Sequence, residues 1–295
     1  MNNFYTAAEA MKRLRLKKST FYDLIERGDI PKGIMLPLRR HALYPKATID
    51  KLADEQDKIL EEYGREPERL KLMIPTKEDF QQIVELDQLL YPGETWMTTE
   101  ELQERLPYNP EVTHVLKDTT TNTVVGYISM SPLKEEILEK LIDLQIDETS
   151  LRAEHFTPYT PDKPTDCYVV SIGARPGSGI VQQLYAGKLI QALTNYLLEL
   201  LEQGDIIRRI YTVATTKQGE RLAQGLQFTP ITTSQTWQSD YEDFRHPYVL
   251  NLEDKESKSR LTQEYQKHLR NRERRMKRYA RQAKPSETRK ATPRH

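Results

Sequence analysis

Residues 167–204 read CYVVSIGARPGSGIVQQLYAGKLIQALTNYLLELLEQG. A β-branched run enters a turn containing Gly and Pro, and a long stretch with apolar residues at helical spacing follows. A strand that feeds a helix through a short turn must lay that helix back on a sheet, so this stretch confines the chain to folds that mix strands and helices in layers. It also puts a helix N-terminus, with its free N–H groups and positive dipole end, at the end of a strand, which suits an anion. The glycines fall before the helix properly begins. Gln182, Gln183, Leu184 and Tyr185 stand where a tight phosphate cradle favours small residues.

At 295 residues the chain suits two domains, and its 44 basic and 44 acidic residues are unevenly spread. Residues 1–54 hold 11 Lys and Arg against 6 Asp and Glu; residues 255–295 hold 15 against 4; the stretch between holds 18 against 34. Basic ends around an acidic middle point to nucleic-acid contact at the ends and other chemistry at the centre. One cysteine, Cys167, rules out an intrachain disulfide and reads as a small buried hydrophobe. No apolar run approaches the ~18 residues that span a membrane, and MNNFYTAAEA lacks the basic and apolar regions of a signal peptide. The expectation is a soluble, cytoplasmic chain.

In the first 54 residues, Thr6 with Glu9 three positions on reads as a capping box. Ala7, Ala10, Met11 and Leu14 then share one helical face. After an LRLKK turn, Phe21, Leu24 and Ile25 form the stripe of a second helix that Gly28 stops. Two short helices across a tight turn are a helix-turn-helix. PKGIMLPLRRHALYP suits a β-ribbon wing, and KATIDKLADEQDKI a third helix. The stretches Tyr5–Ala10, Ser19–Tyr22, Gly28–Pro31 and Leu43–Pro45 resemble the all-α winged helix-turn-helix heads of MerR-like and excisionase-like DNA-binding proteins. The resemblance implies that Lys17, Lys18, Ser19, Thr20 and Tyr22 open a recognition helix toward DNA, with Arg39 and Arg40 on the wing. Such heads often pair through a following helix, which makes a homodimer an expectation. Residues 55–70 form a charged linker without the heptads of a long coiled coil.

Between residues 71 and 253 the periodicities give the order β-α-α-β-β, an insert over 133–166, and then β-α-β-α-β-β. VVGYISMSPL, the strand-loop-helix of Cys167–Gly204, and RRIYTVATTKQGERLAQGLQF resemble the GNAT acetyltransferase fold, an α+β mixed sheet. That resemblance implies acetyl-CoA as cofactor. Its pantetheine arm would pair with the strand end Ile172, Gly173 and Ala174, and its pyrophosphate would rest at the following helix start. Two registers fit the family loop. The preferred one places Gln183 first, Ala186 at the central glycine, Gly187 beside it and Lys188 last; the other places Val181 first, Leu184 at the centre and Ala186 last.

In the short helix after RRIYTVATT, Ala223 stands where the family commonly has its proton-donating tyrosine. Glu154, His155, Asp166 and Tyr168 lie near the region in sequence, and each reads more readily as structural, so no catalytic residue is assigned. No metal-ligand spacing and no Walker or dinucleotide glycine loop occurs. From residue 254 a basic helix with a thin apolar stripe (Leu261, Tyr265, Leu269, Met276, Tyr279) is expected, then a polar end. It suits either phosphate contact or docking on the acidic middle. Two functions fit: a DNA-associated N-acetyltransferase acting on an amine, or a DNA-binding regulator whose GNAT-like domain senses a ligand or mediates assembly.

Overall fold

The structure, a computed structural model, describes residues 3–28, 30–35, 41–65, 69–91, 97–176, 179–232 and 245–282. Its chain divides into two compact units, one of residues 1–129 with 171–193, the other of 130–170 with 194–295.

The first unit begins with the head. Strand β1 (Phe4–Thr6) leads into α1 (Ala7–Arg13), and α2 (Lys18–Arg27), β2 (Leu43–Pro45) and α3 (Lys46–Arg65) follow. The Thr6–Glu9 capping box forms as expected, the Glu9 N–H reaching the Thr6 hydroxyl at 3.3 Å and the Thr6 N–H reaching Glu9 at 2.7 Å. Gly28 ends α2 at φ 86°, a conformation that glycine adopts without steric cost. Ala10, Leu14, Phe21, Leu24, Ile30, Tyr44, Ile49 and Ala53 close the core. The head is not purely helical: β1 pairs antiparallel with β2, from Phe4↔Pro45 to Thr6↔Leu43. Ile34 and Leu43 exchange N–H···O bonds of 2.8 and 2.9 Å at the base of the expected wing. Arg13 ties α1 to α3, bonding Asp50 at 3.0 Å and Asp54 at 2.5 Å. The third helix runs well past the head, through most of the expected linker.

The large sheet has the order β3-β4-β5-β6-β7-β9-β8. In the first unit, β3 (Leu70–Met73) and β4 (Thr113–Asp118) pair antiparallel, as do β4 and β5 (Thr123–Pro132). Helices α4 (Lys77–Leu90) and α5 (Thr99–Glu104) bury Phe80, Ile83, Leu86 and Leu102 against Val115, Val124 and Tyr127. Beneath them Asp79 does two jobs. One oxygen caps α4 through the Thr76 N–H and hydroxyl, both at 2.9 Å; the other meets Lys117 of β4 at 2.7 Å. Burial by itself would raise the Asp79 pKa. Lys117 and Thr76 outweigh that and hold it below the usual carboxylate range.

The second unit holds the insert, with α6 (Glu135–Ile142), and strands β7 (Ile207–Ala214), β8 (Thr229–Pro230) and β9 (His246–Asn251). Strand β6 (Thr165–Ala174) enters here and pairs parallel with β7, while β9 pairs antiparallel with β7 along its length from Arg209↔Asn251 to Ala214↔His246. Helix α7 (Gly179–Gln203) carries the buried stripe Leu189, Leu193, Tyr196, Leu197, Leu200 and Leu201. Helix α8 (Lys217–Gly225) starts at Thr216, whose hydroxyl accepts from the Gly219 N–H at 3.0 Å, so Thr216 is a cap. Helix α9 (Arg260–Gln282) docks its first turns through Leu261 and Tyr265; the Tyr265 hydroxyl accepts the Ile207 N–H at 2.8 Å. Of the expected strand FTPITTSQTW only Thr229–Pro230 is strand, and residues 233–244 lie outside the described residues.

Asp79→Ala removes a cap and strands the Lys117 ammonium in the interior. It will cost about 3–5 kcal/mol of unfolding free energy in urea titration. Because the folded pKa of Asp79 is depressed, its stabilisation is present above the unfolded carboxylate pKa of about 3.9 and lost as pH falls through the folded value. The acid-induced loss of stability will therefore be shallower in the variant.

Candidate functional site

The end of β6 is pressed against the first unit's helical layer. A Cβ on Gly173 would fall 2.3 Å from Leu90 Cδ1 and 3.2 Å from Tyr127 Cε1, so a larger residue there displaces the Leu90 side chain and crowds the Tyr127 ring. The Tyr127 hydroxyl, on a fully buried ring, donates to the Asp87 carboxylate and lies 2.7 Å from the Ser171 hydroxyl. Burial foremost, with Asp87 beside it, pushes the Tyr127 pKa well up, so it stays protonated. Just past the strand, the Arg175 N–H bonds the Val125 carbonyl at 2.8 Å and its Nε the Val124 carbonyl at 3.1 Å. A Cβ on Gly126 would meet the Gly173 carbonyl at 3.0 Å and Leu189 of α7 at 3.4 Å, so strand and helix approach closely through paired glycines. Ile172 and Ala174 stay half-buried.

The pairing of β6 with β7 is registered from Thr165↔Ile207 to Tyr168↔Tyr211. Past that point the Thr212 hydroxyl donates to the Val169 carbonyl at 3.2 Å.

Helix α7 begins at Gly179, earlier than the expected cradle. Gln183, Ala186, Gly187 and Lys188 thus lie in its second and third turns, where N–H groups bond carbonyls four residues back. The amides that helix geometry leaves without intrahelical acceptors are those of the first turn, Gly179 to Val181. Gln183 and Gly187 are exposed, while Ala186 and Lys188 are half-buried. A Cβ on Gly187 would meet nothing within 4 Å. Between these positions the Tyr185 hydroxyl sits 3.2 Å from that of Tyr63, at the end of α3. Tyr63 in turn donates to Asp118 at 3.2 Å and lies under the Arg69 guanidinium, 4.7 Å from its ring centre. Arg69 grips Asp118 with bonds of 2.8 and 2.9 Å. The second turn of α7 is thereby tied to the helix that carries the head.

A carboxylate the sequence reading passed over stands in the second unit. Glu148 opens a 3-10 turn capped by Asp147 and accepts the Tyr168 hydroxyl. Tyr168 is fully buried at the residue where the β6–β7 pairing ends, and the Val213 main chain lies within hydrogen-bonding reach of its hydroxyl. Burial raises the Glu148 pKa and Asp147 adds to the rise; Tyr168 and the charge of Arg245 oppose it without cancelling it. Nothing in the spacing of DETS marks this group, because its environment is assembled by β6 and β7. Among the sequence candidates, Asp166 is spent on Arg208 at 3.2 Å and Arg209 at 2.5 Å. The His155 Nδ1 accepts the Arg152 N–H at 3.1 Å within a 3-10 turn, and Glu154 is exposed. Ala223 is buried with Ala214 and Tyr248, and Tyr248 itself donates to Glu220 at 3.1 Å. Burial pushes the Cys167 thiol far up and leaves it unreactive. Among the described residues no His, Cys, Asp and Glu cluster could hold a metal ion, and no helix is long and apolar enough to cross a membrane.

In the head, Lys17, Lys18, Ser19 and Tyr22 are exposed at the start of α2 and Thr20 is half-buried, while Phe21 and Leu24 fill the core. The exposed start of the second helix is therefore polar and cationic. Arg39 and Arg40 lie outside the described residues.

A family model for a helix-turn-helix domain matches residues 4–57. No curated protein matches the chain. Among solved structures, the chain is similar to the loading GNATL domain of CurA from Lyngbya majuscula, with 13% identity, 62% of this chain and 97% of that one covered, and a TM-score of 0.44. It is similar as well to NAA60 of Arabidopsis thaliana solved with acetyl-CoA (13%, 63% and 99%, 0.39). A GNAT-family acetyltransferase from Bacillus anthracis also resembles it (13%, 63% and 97%, 0.39). The chain joins a helix-turn-helix head to a mixed α/β fold.

The two glycines of the candidate site will answer oppositely to the same change. Gly173→Ala overpacks Leu90 and Tyr127 and will destabilise the fold by about 1–3 kcal/mol. Gly187→Ala fills empty space on a helix and will stabilise it by about 0.5–1 kcal/mol. Urea unfolding of both variants reads the contrast.

Proposed function

We propose that the chain is a DNA-associated acyltransferase, its head holding duplex DNA and its GNAT-like domain moving an acetyl group from acetyl-CoA to an amine. The single observation that carries the acyl-carrier half is the fixed end of β6 and its run into the start of α7. The main chain of Ile172, Gly173 and Ala174 is extended backbone held in place by Tyr127 and Arg175. An extended strand end suits an amide-bearing arm. Four residues after the strand, the first turn of α7 offers amides and a positive dipole end to a pyrophosphate. In this proposal the Gly179–Val181 amides take the role first given to Gln183–Lys188. Gln183, Ala186 and Lys188 then flank the arm with side chains, and Gly187 leaves it room, rather than cradling phosphate with main chain.

Acetyl-CoA would supply an activated thioester. The chain's own task is to receive a proton, because an amine must be neutral to attack. Main-chain N–H groups at the end of β6 suit the developing oxyanion. One observation favours the second reading, a regulator that binds the ligand without turnover: Ala223 has no hydroxyl for the leaving thiolate.

Lys17→Ala with Lys18→Ala will weaken duplex binding about tenfold or more in a mobility shift at low salt; unchanged affinity would remove the head from the interface. Calorimetry with acetyl-CoA and turnover with an amine panel test the other half. Binding with turnover is the expected result, binding alone selects the regulator, and neither at millimolar ligand overturns both readings.

A further inference from the structure

Helix α9 sorts its cations between two faces. Leu261 and Tyr265 bury one face against the second unit. Farther along that side, Arg272 meets Asp162 at 2.8 Å and Arg275 meets Glu202 at 2.5 Å. Arg270, Arg274, Lys277 and Arg278 occupy positions i, i+4, i+7 and i+8, which at 100° per residue form one stripe on the opposite face. All four are exposed and have no acidic partner among the described residues. The expected alternative, a tail that docks wholly on the acidic middle, accounts for Arg272 and Arg275 and leaves the outer stripe unused.

We propose that this outer stripe of α9 is a second DNA-binding surface that grips the phosphate backbone of duplex DNA without reading sequence. Over eight residues the stripe extends about 12 Å, enough to span several phosphates. Four cations held on a docked helix lose little freedom on binding, unlike lysines and arginines on a free tail. A membrane surface is the poorer partner. An interfacial helix needs a continuous apolar face to insert; the Leu261–Tyr265 face of α9 is covered, and Met276 and Tyr279 are the exposed large apolar residues of its described part. The stripe's lack of base-directed geometry predicts equal affinity for unrelated sequences. This inference extends the DNA-binding reading of the head but stands on different residues.

The test uses the full chain and a mixed-sequence duplex of about 30 base pairs, with binding followed by anisotropy between about 50 and 200 mM salt. Substituting Arg270, Arg274, Lys277 and Arg278 together by Gln will reduce the slope of log Kd against log salt by about 3–4. It will weaken binding to two unrelated sequences equally. Arg272→Gln with Arg275→Gln, on the inner face, will leave the slope unchanged. Should the fourfold variant fail to fold, Arg274→Gln alone will reduce the slope by about 1. An unaltered slope in either stripe variant overturns the proposal, as does stripe-dependent binding to phosphatidylserine vesicles with no effect on DNA. A normal stripe effect in a chain whose Lys17→Ala, Lys18→Ala variant binds like the parent would sink the head assignment and leave the stripe standing. Absence of duplex binding by the parent chain at low salt would sink both.

Discussion

The hydroxyl of Tyr127 is the contact on which the geometry of the first unit's candidate site rests. It bridges the Asp87 carboxylate of α4 and the Ser171 hydroxyl of β6, on a ring packed closely against Gly173. A buried phenol without such partners would be costly, and with them it fixes a strand end to within hydrogen-bond tolerance. Arg175 is held to β5, and α7 starts at Gly179. Extended main chain and a helix N-terminus are placed in succession, which is what gives an anionic, amide-bearing ligand something to meet.

Electrostatics does different work in different places. The clasp of Arg13 on Asp50 and Asp54 joins α1 to α3 at the surface, where ion pairs contribute little singly and more as a group. The Asp79–Lys117 pair is buried and would be expensive to break rather than strongly stabilising to keep. Arg69, Asp118, Tyr63 and Tyr185 form a third cluster that connects the end of α3 to α7. On α9 the same residue types are divided by direction, two arginines neutralised against the protein and four cations turned to solvent.

Local chemistry was the part of this protein legible in one dimension. The Thr6–Glu9 capping box forms as its spacing required, and Thr76–Asp79 and Thr98–Glu101 form boxes of the same kind at their helix starts. The hairpin of β4 and β5 turns at Asn122, with φ 57°. Ala10, Leu14, Phe21 and Leu24 are buried as their spacing required. Reading failed where a local rule had competitors. β1 is three residues long and exists because β2 is there to pair with it, which no propensity records. The start of α7 was misplaced because glycine reads as a helix breaker, yet at a first helical position it costs little. Asp166 looked available in sequence and is bound by two arginines from a strand some 40 residues away.

What the sequence by itself determined is the set of elements, their order, the two folds they compose and the segregation of charge. Each follows from periodicity, capping and composition, which act over a few residues. Tertiary structure decided the rest: where the β6–β7 pairing stops, that the Glu148 carboxyl meets the Tyr168 hydroxyl, and which arginines of α9 face the protein. The reason is that desolvation, charge pairing and strand register depend on residues distant in the chain, and a single side chain carries no mark of the surroundings in which it will be buried.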